Sequence, residues 1–329
     1  MIRNQFFQRS RALAVSAVLI FSSSQAFSWG SKGHQIVAGV GANISGVPFW
    51  SNNTAAVQQL STVPDRVWKS TNYKQEALNH WFQADAYTTV LGKGSLANFP
   101  RSYQDALKKY GESAILTNGV SPWRIQQFYN GALAALKKGD APSALAYMGL
   151  MSHYLGDLSQ PLHVTTNYDG QKTNQPGIHK YFETDNIQDE QAIAKQVQDQ
   201  AIVILQNPSN LNILMNLPLI ELSFTEIERA LMFRDKVLSN DSKLGRSGAG
   251  AKAQLSLAIS RMADGAAIYA VILNRVWKEA QSNIPPNKIS IGDPSFIPDD
   301  FSKLFSFQSD KRMTSVNENL ASHEDDCEL

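Results

Sequence analysis

The sequence predicts an all-α fold, a compact multi-helix single domain followed by an irregular C-terminal extension. Apolar residues recur at spacings of three and four through most of the chain, strand-like alternation is scarce, and proline and glycine fall at the ends of the periodic stretches. A chain of 329 residues with 43% hydrophobic content can bury a sizeable core.

At the N-terminus, Arg3, Arg9 and Arg11 precede an apolar stretch at 12–21, about half the length of a bilayer-spanning helix, and Ala26 and Ser28 supply the small residues of a cleavage site. Residues 1–28 therefore read as a signal peptide, and the expected location is exported, secreted or periplasmic. Cleavage after Ser28 makes Trp29 the first residue. It removes three of the 30 basic side chains and none of the 29 acidic ones, leaving a net charge of −2. A protein built on phosphate-backbone contacts shows a basic excess, which this one lacks. The one cysteine, Cys327, offers no intramolecular disulfide.

The helices follow in order. Residues 122–138 carry proline near the start and Lys137, Lys138 and Gly139 at the end. Residues 144–159 are apolar on most faces and stop before Pro161, as a buried central helix would. Ile, Val and Ala at helical spacing run through 179–206 and again through 224–238, and a long helix over 251–281 is lined by Leu255, Ile259, Met262 and Ile268. The helical domain spans 29–283. From 284 the composition changes: Pro285, Pro286, Pro294 and Pro298 lead into a polar run, which predicts a C-terminal extension over 284–329, extended and then partly disordered.

Six histidines occur: His34, His80, His153, His163, His179 and His323. Five precede residue 183, four of them (all but His34) with a carboxylate within six residues, and imidazole with carboxylate is the donor set of hydrolytic zinc sites. The densest run is His153-Tyr154-Leu155-Gly156-Asp157, then Pro161 and His163. Four residues apart on a helix, His153 and Asp157 point the same way, and Pro161 lets His163 turn toward a second ion. His179 and Glu183 repeat the device. A single such pair is usually a cap or surface ion pair; two pairs joined through His163 make a multinuclear site.

Taken with Trp29, His34, the Pro64-Asp65 unit and Asn79-His80, these motifs resemble the zinc-dependent phospholipase C and single-strand nuclease superfamily, over residues 29–183. The resemblance implies three zinc ions: one held by Asp65, His80, His153 and Asp157, a second by His163, His179 and Glu183, and a third by His34, a bridging Asp157 and the amino nitrogen and carbonyl oxygen of Trp29. Removal of the signal peptide would then be a condition of activity. It also implies phosphodiester hydrolysis by a zinc-activated water, with Asp65 as ligand and candidate base.

Glu183 follows His163 by 20 residues, and the His-Tyr-Leu-Gly-Asp wording also resembles the phospholipase branch. The expected activity is thus phospholipase C, with a phospholipid at a membrane surface as partner and no protein partner. The five-residue step from Trp29 to His34 matches the nuclease branch, so a secreted single-strand nuclease, with nucleic acid as its partner, is the alternative; a non-catalytic zinc-binding protein is a lesser one. Lys32 and Arg66 stand where choline-preferring members carry acidic and aromatic side chains, making them candidate substrate-binding residues for an anionic headgroup. Trp50, Trp68, Tyr73, Trp81 and Phe82 suit an acyl chain, a stacked base or simply the core, and Phe296, Phe301, Leu304, Phe305 and Phe307 suit a membrane surface or the domain itself.

Overall fold

The computed structural model describes residues 29–70, 76–88 and 96–291. The expected signal peptide, Tyr73 and the extension from residue 292, with its Phe296 to Phe307 cluster, lie outside the described residues. Among the described residues every regular element is helical.

Gly30–Ile44 (α1) is followed by two short helices, Pro48–Asn52 (α2) and Thr54–Leu60 (α3), and by a widened π turn at Pro64–Trp68. Tyr103–Tyr110 (α4) begins where Ser102 accepts from the Asp105 amide, and Glu112–Asn118 (α5) follows after Gly111. Ser121–Lys137 (α6) has Pro122 in its first turn, where the missing N–H costs nothing. Ala141–Ser159 (α7) is capped by Asp140, whose carboxylate accepts from the Ser143 amide. It ends at Gln160, which is extended because the residue before Pro161 is barred from helical backbone.

The expected helix over 179–206 is two elements. A turn at Ile178–Lys180 runs into a second π turn at Tyr181–Asp185, and Glu190–Gln206 (α8) starts afresh where Asp189 accepts from the Ala192 amide. The apolar spacing persists across the break because both pieces face the same core; the Asp189 cap is what ends the continuity. Pro208–Asn216 (α9), Leu219–Leu244 (α10) and Gly248–Ala280 (α11) complete the order; α10 is longer at both ends than the periodicity predicts, and α11 starts three residues earlier and ends one residue sooner. By length and hydropathy α11 could cross a membrane, yet 78% of its most apolar window is buried inside the protein, which makes it a core helix.

The axis of the molecule is α7. Leu145, Met148, Leu150, Met151, Tyr154, Leu155 and Leu158 are all fully buried, with α6, α3, α1, α10 and α11 packed around them. Truncating a side chain such as Leu155 to alanine would cost about 2–5 kcal/mol. Two apolar clusters form, one around α6 and α7 and one around α1, α8 and α11. The end of α7 is pinned by Arg261, fully buried on α11, which donates Nε–H to the Ser159 carbonyl at 3.1 Å and pairs with Glu226 and Asp264. Past α11, the extended residues 284–291 lie back on the domain, with Asn53 donating to Asn287 O and accepting from the Ile289 amide, and Ile284, Ile289 and Ile291 packed on the core.

Candidate metal centre

Three groups of His, Asp and Glu donors, all buried, bring their ligand atoms within 4.8 Å of one another: His34 with Asp65 and His153; His80 with His153 and Asp157; His163 with His179 and Glu183. They are delivered by α1 (His34), the two π turns (Asp65 and Glu183), the end of a short turn at Ala77–Asn79 (His80), α7 (His153 and Asp157), the loop after it (His163) and the turn Ile178–Lys180 (His179). In a π turn the backbone widens, and each of these turns places its carboxylate, Asp65 or Glu183, facing inward.

Asp157 lies at the middle. Its Oδ1 is 3.4 Å from His34 Nε2 and 3.9 Å from His163 Nδ1, and its Oδ2 is 3.2 Å from His80 Nδ1 and 3.4 Å from His153 Nε2. Asp65 Oδ1 stands 3.6 Å from His80 Nδ1 and 3.8 Å from His153 Nε2, with the Lys69 amine at 3.5 Å on its other side. Gly156 permits the approach: a Cβ there would meet His34 Nδ1 at 3.0 Å. His34 and His153 stack with ring centroids 3.8 Å apart.

The ring protons follow from the outer contacts. His153 Nδ1 lies 2.7 Å from the Ser61 carbonyl, His163 Nδ1 2.7 Å from the His80 carbonyl and His179 Nδ1 3.0 Å from the Tyr168 carbonyl. A carbonyl only accepts, so each Nδ1 carries a proton, and each ring turns Nε2 inward, a bare lone pair wherever the ring is neutral. His163 Nε2 and His179 Nε2 converge to 3.1 Å, and Glu183 Oε2 is 3.0 Å from the latter. Backbone carbonyls fixing the outer nitrogen of an imidazole are a recurrent arrangement behind metal ligands.

Titration behaviour divides the cluster. Burial pushes Asp157 well above the usual carboxylate range, and the neighbouring Asp65 charge pushes it further. Burial holds His34, His80 and His153 well below the ordinary imidazole value, reinforced by His153, Lys69 and His80 respectively. Glu183 is the reverse: burial alone would raise it, but the charge of His179 and the bonds to His163 and His179 bring it down to about 2, while Glu183 lifts His179 in spite of burial. Both oxygens of Asp157 and Oε1 of Glu183 are buried with no hydrogen-bond donor among the described residues. Unpaired carboxylate oxygens facing imidazole nitrogens are a donor set that could hold a cation.

Trp29 is fully buried, its indole N–H donating to the Gly156 carbonyl at 2.7 Å and to Ser159 Oγ at 3.1 Å. Its backbone is left-handed, with φ 41°, and this aims its main-chain N–H at Glu183 Oε2, 3.2 Å away. The structure thus gathers Trp29, His34, Asp65, His80, His153, Asp157, His163, His179 and Glu183 in one buried region. The two candidate substrate residues are exposed. The Lys32 amine donates to the Ile187 and Gln188 carbonyls at 3.5 and 3.3 Å, tying α1 to the segment after Glu183, and Arg66 projects from the π turn beside Asp65. Trp50, Trp68, Trp81 and Phe82 are core side chains.

Four contributors went unnoticed in the sequence. Lys69 neighbours Asp65, and Gln160 donates to Glu183 Oε2 at 2.9 Å. Glu76 stands behind His80, with its Oε1 3.5 Å from His80 Nε2, and Arg124 pairs with Glu76 at 3.2 Å. Glu76 precedes His80 by four residues, the same helical spacing as the recognised pairs in reverse order. That spacing was the available signal.

No family model matches the chain. A probable serine protease of Bradyrhizobium tropiciagri is 31% identical over 94 residues, a match taking in 23% of this chain, and the chain spans only 12% of that relative's length.

Proposed function

We propose that this protein is a zinc-dependent phosphodiester hydrolase, and specifically a phospholipase C. The observation that carries the metal reading is Asp157, a fully buried carboxylate with no hydrogen-bond donor on either oxygen and four imidazoles within 3.9 Å. His, Asp and Glu without cysteine are the donors of catalytic rather than structural zinc sites. When bound, zinc supplies Lewis acidity and brings the pKa of water toward neutrality.

The protein's own groups supply the rest. Asp65, beside the ligand cluster and not enclosed by it as Asp157 is, orients the attacking water and takes its proton. The Lys69 amine, 3.5 Å from Asp65, counters negative charge arriving with a phosphodiester. Trp29 is a peptide amide while residue 28 precedes it, and an amide nitrogen has its lone pair delocalised into the carbonyl. Cleavage after Ser28 turns it into an amine able to ligate at the position its N–H now occupies beside Glu183.

The name of the partial relative points to a hydrolase of another kind. Among the described residues, Ser61 meets His153 of the centre through its carbonyl, with its hydroxyl donating to Gln58 O at 2.7 Å. Ser152 and Ser159 likewise donate to main-chain carbonyls. These commitments favour a metal-activated water over a serine nucleophile. The Glu183 spacing and the wording of α7 favour lipid over nucleic acid as substrate.

The test compares hydrolysis of a short-chain phospholipid and of single-stranded DNA by protein beginning at Trp29, with and without zinc. Zinc-dependent release of diacylglycerol, lost when one residue is left before Trp29, is expected. Activity on DNA alone would move the assignment to a nuclease, and activity insensitive to chelation would overturn the metal reading.

A further inference from the structure

Behind the ligand cluster lies a second buried group that no ligand pattern includes. Glu76 is a carboxylate only 5% exposed. It accepts from Tyr154 Oη, from Asn79 Nδ2 at 3.0 Å and from Arg124 Nη2 at 3.2 Å. Arg124 is itself fully buried, its guanidinium 5.0 Å from the Phe128 ring and 5.3 Å from the Tyr154 ring. Leaving either charge without the other would be costly, so the pair is retained as a unit. A salt bridge of this kind adds little stability over an apolar replacement, and its position asks for another reason.

The position supplies one. Glu76 Oε1 faces His80 Nε2 at 3.5 Å, whereas His80 Nδ1 faces His153 Nε2 at 2.9 Å, Asp157 Oδ2 at 3.2 Å and Asp65 Oδ1 at 3.6 Å. His80 is thus turned the opposite way from His153, His163 and His179. Those three present Nε2 inward and anchor Nδ1 on a main-chain carbonyl; His80 presents Nδ1 inward and has Glu76 where the carbonyl would be. A neutral imidazole has one ring proton. For Nδ1 to be a bare donor toward a metal, the proton must sit on Nε2; that atom has no hydrogen-bond partner among the described residues, and the carboxylate facing it, at 3.5 Å, is Glu76, whose charge favours the proton on that side.

We propose that Glu76, held by Arg124 and Tyr154, is the positioning residue of the metal centre, fixing the tautomer and ring orientation of His80 so that its Nδ1 ligates. This rests on the metal reading above and not on the choice of substrate. Arg124 and Tyr154 act one step further out, keeping the carboxylate aimed at the ring.

Cobalt(II) tests the assignment, because its visible absorption reports ligand geometry and its affinity can be followed against a chelator. In Glu76→Gln, cobalt affinity at the His80 group is expected to fall about 10–100-fold, with an altered spectrum, while the ion at His163, His179 and Glu183 stays bound. The double variant Glu76→Gln/Arg124→Gln removes both charges and so separates the roles. If Glu76 only balances Arg124, the double variant regains wild-type affinity and the inference is overturned; if Glu76 acts through His80, affinity stays low. Wild-type spectrum and affinity in the single variant would likewise overturn it. Failure of the wild-type protein to bind cobalt at all would refute the metal reading itself, and with it this inference.

Discussion

The Asp157 side and the Glu183 side of the centre use the same residue types and solve opposite electrostatic problems. Around Glu183 the charges are internally balanced: the carboxylate is held down to about 2, His179 is lifted, and Gln160 and the Trp29 N–H add hydrogen bonds to Oε2. Around Asp157 the Lys69 charge opposes burial and the neighbouring carboxylates without offsetting them. The carboxylate is pushed up, and its three nearest imidazoles are pushed down toward neutrality. The Glu183 group can stand as an ion pair by itself, whereas the Asp157 group is a set of donors that could hold a cation. The difference teaches that burial and ligand identity do not fix how much a site depends on its ion; the protonation state left behind does.

The largest expected effect breaks this comparison at Asp157. Asp157→Asn should lower phosphodiesterase activity by about 10²–10³-fold or more, and reduce bound zinc measured by mass spectrometry. In metal-free protein at neutral pH the sign should reverse, with chemical denaturation showing a gain of about 1–3 kcal/mol. The raised pKa of Asp157 gives the pH course: its penalty is absent below the unfolded-state carboxylate pKa, grows as pH rises toward the folded value, and is complete above it. The gain from Asp157→Asn should therefore vanish in acid.

Next in size, chelation of the wild-type protein should lower Tm by roughly 10 °C, measured by calorimetry, and zinc should restore it. Glu183→Gln in the metal-free protein should destabilise by about 3 kcal/mol, the opposite sign to Asp157→Asn. The depressed Glu183 contributes stability above the unfolded carboxylate pKa and loses it as pH falls toward about 2; the raised His179 contributes below its unfolded pKa and loses it as pH climbs through the folded one. Denaturation of metal-free protein between those limits, near pH 5–6, should show the full loss. Gln160→Leu should weaken zinc at the Glu183 group about 10-fold in chelator competition and leave the Asp157 group alone. Smallest, Trp29→Phe removes two indole hydrogen bonds and should cost about 1–2 kcal/mol by thermal denaturation.

Much of this was legible in sequence because it is local. His153 with Asp157 and His179 with Glu183 announce themselves by helical spacing, and the stop before Pro161 follows from proline's own sterics. The break after Asp185 was hidden because apolar periodicity records which face is buried and not whether the backbone is continuous. The carbonyls of Ser61, His80 and Tyr168 that orient the imidazoles could not be foreseen, since every residue has a carbonyl and only the tertiary fold selects which one faces a ring. Glu76 was readable in principle, four residues before His80, but its pairing with Arg124 across 48 residues was not.

The most direct test of the central claim is anomalous diffraction at the zinc edge from crystals of the zinc-loaded protein beginning at Trp29. Peaks are expected inside the cluster within about 2.0–2.2 Å of an Asp157 oxygen and of a Glu183 oxygen, with Asp157 shared between ions. A cluster interior without anomalous signal, with zinc only at the surface, would contradict it.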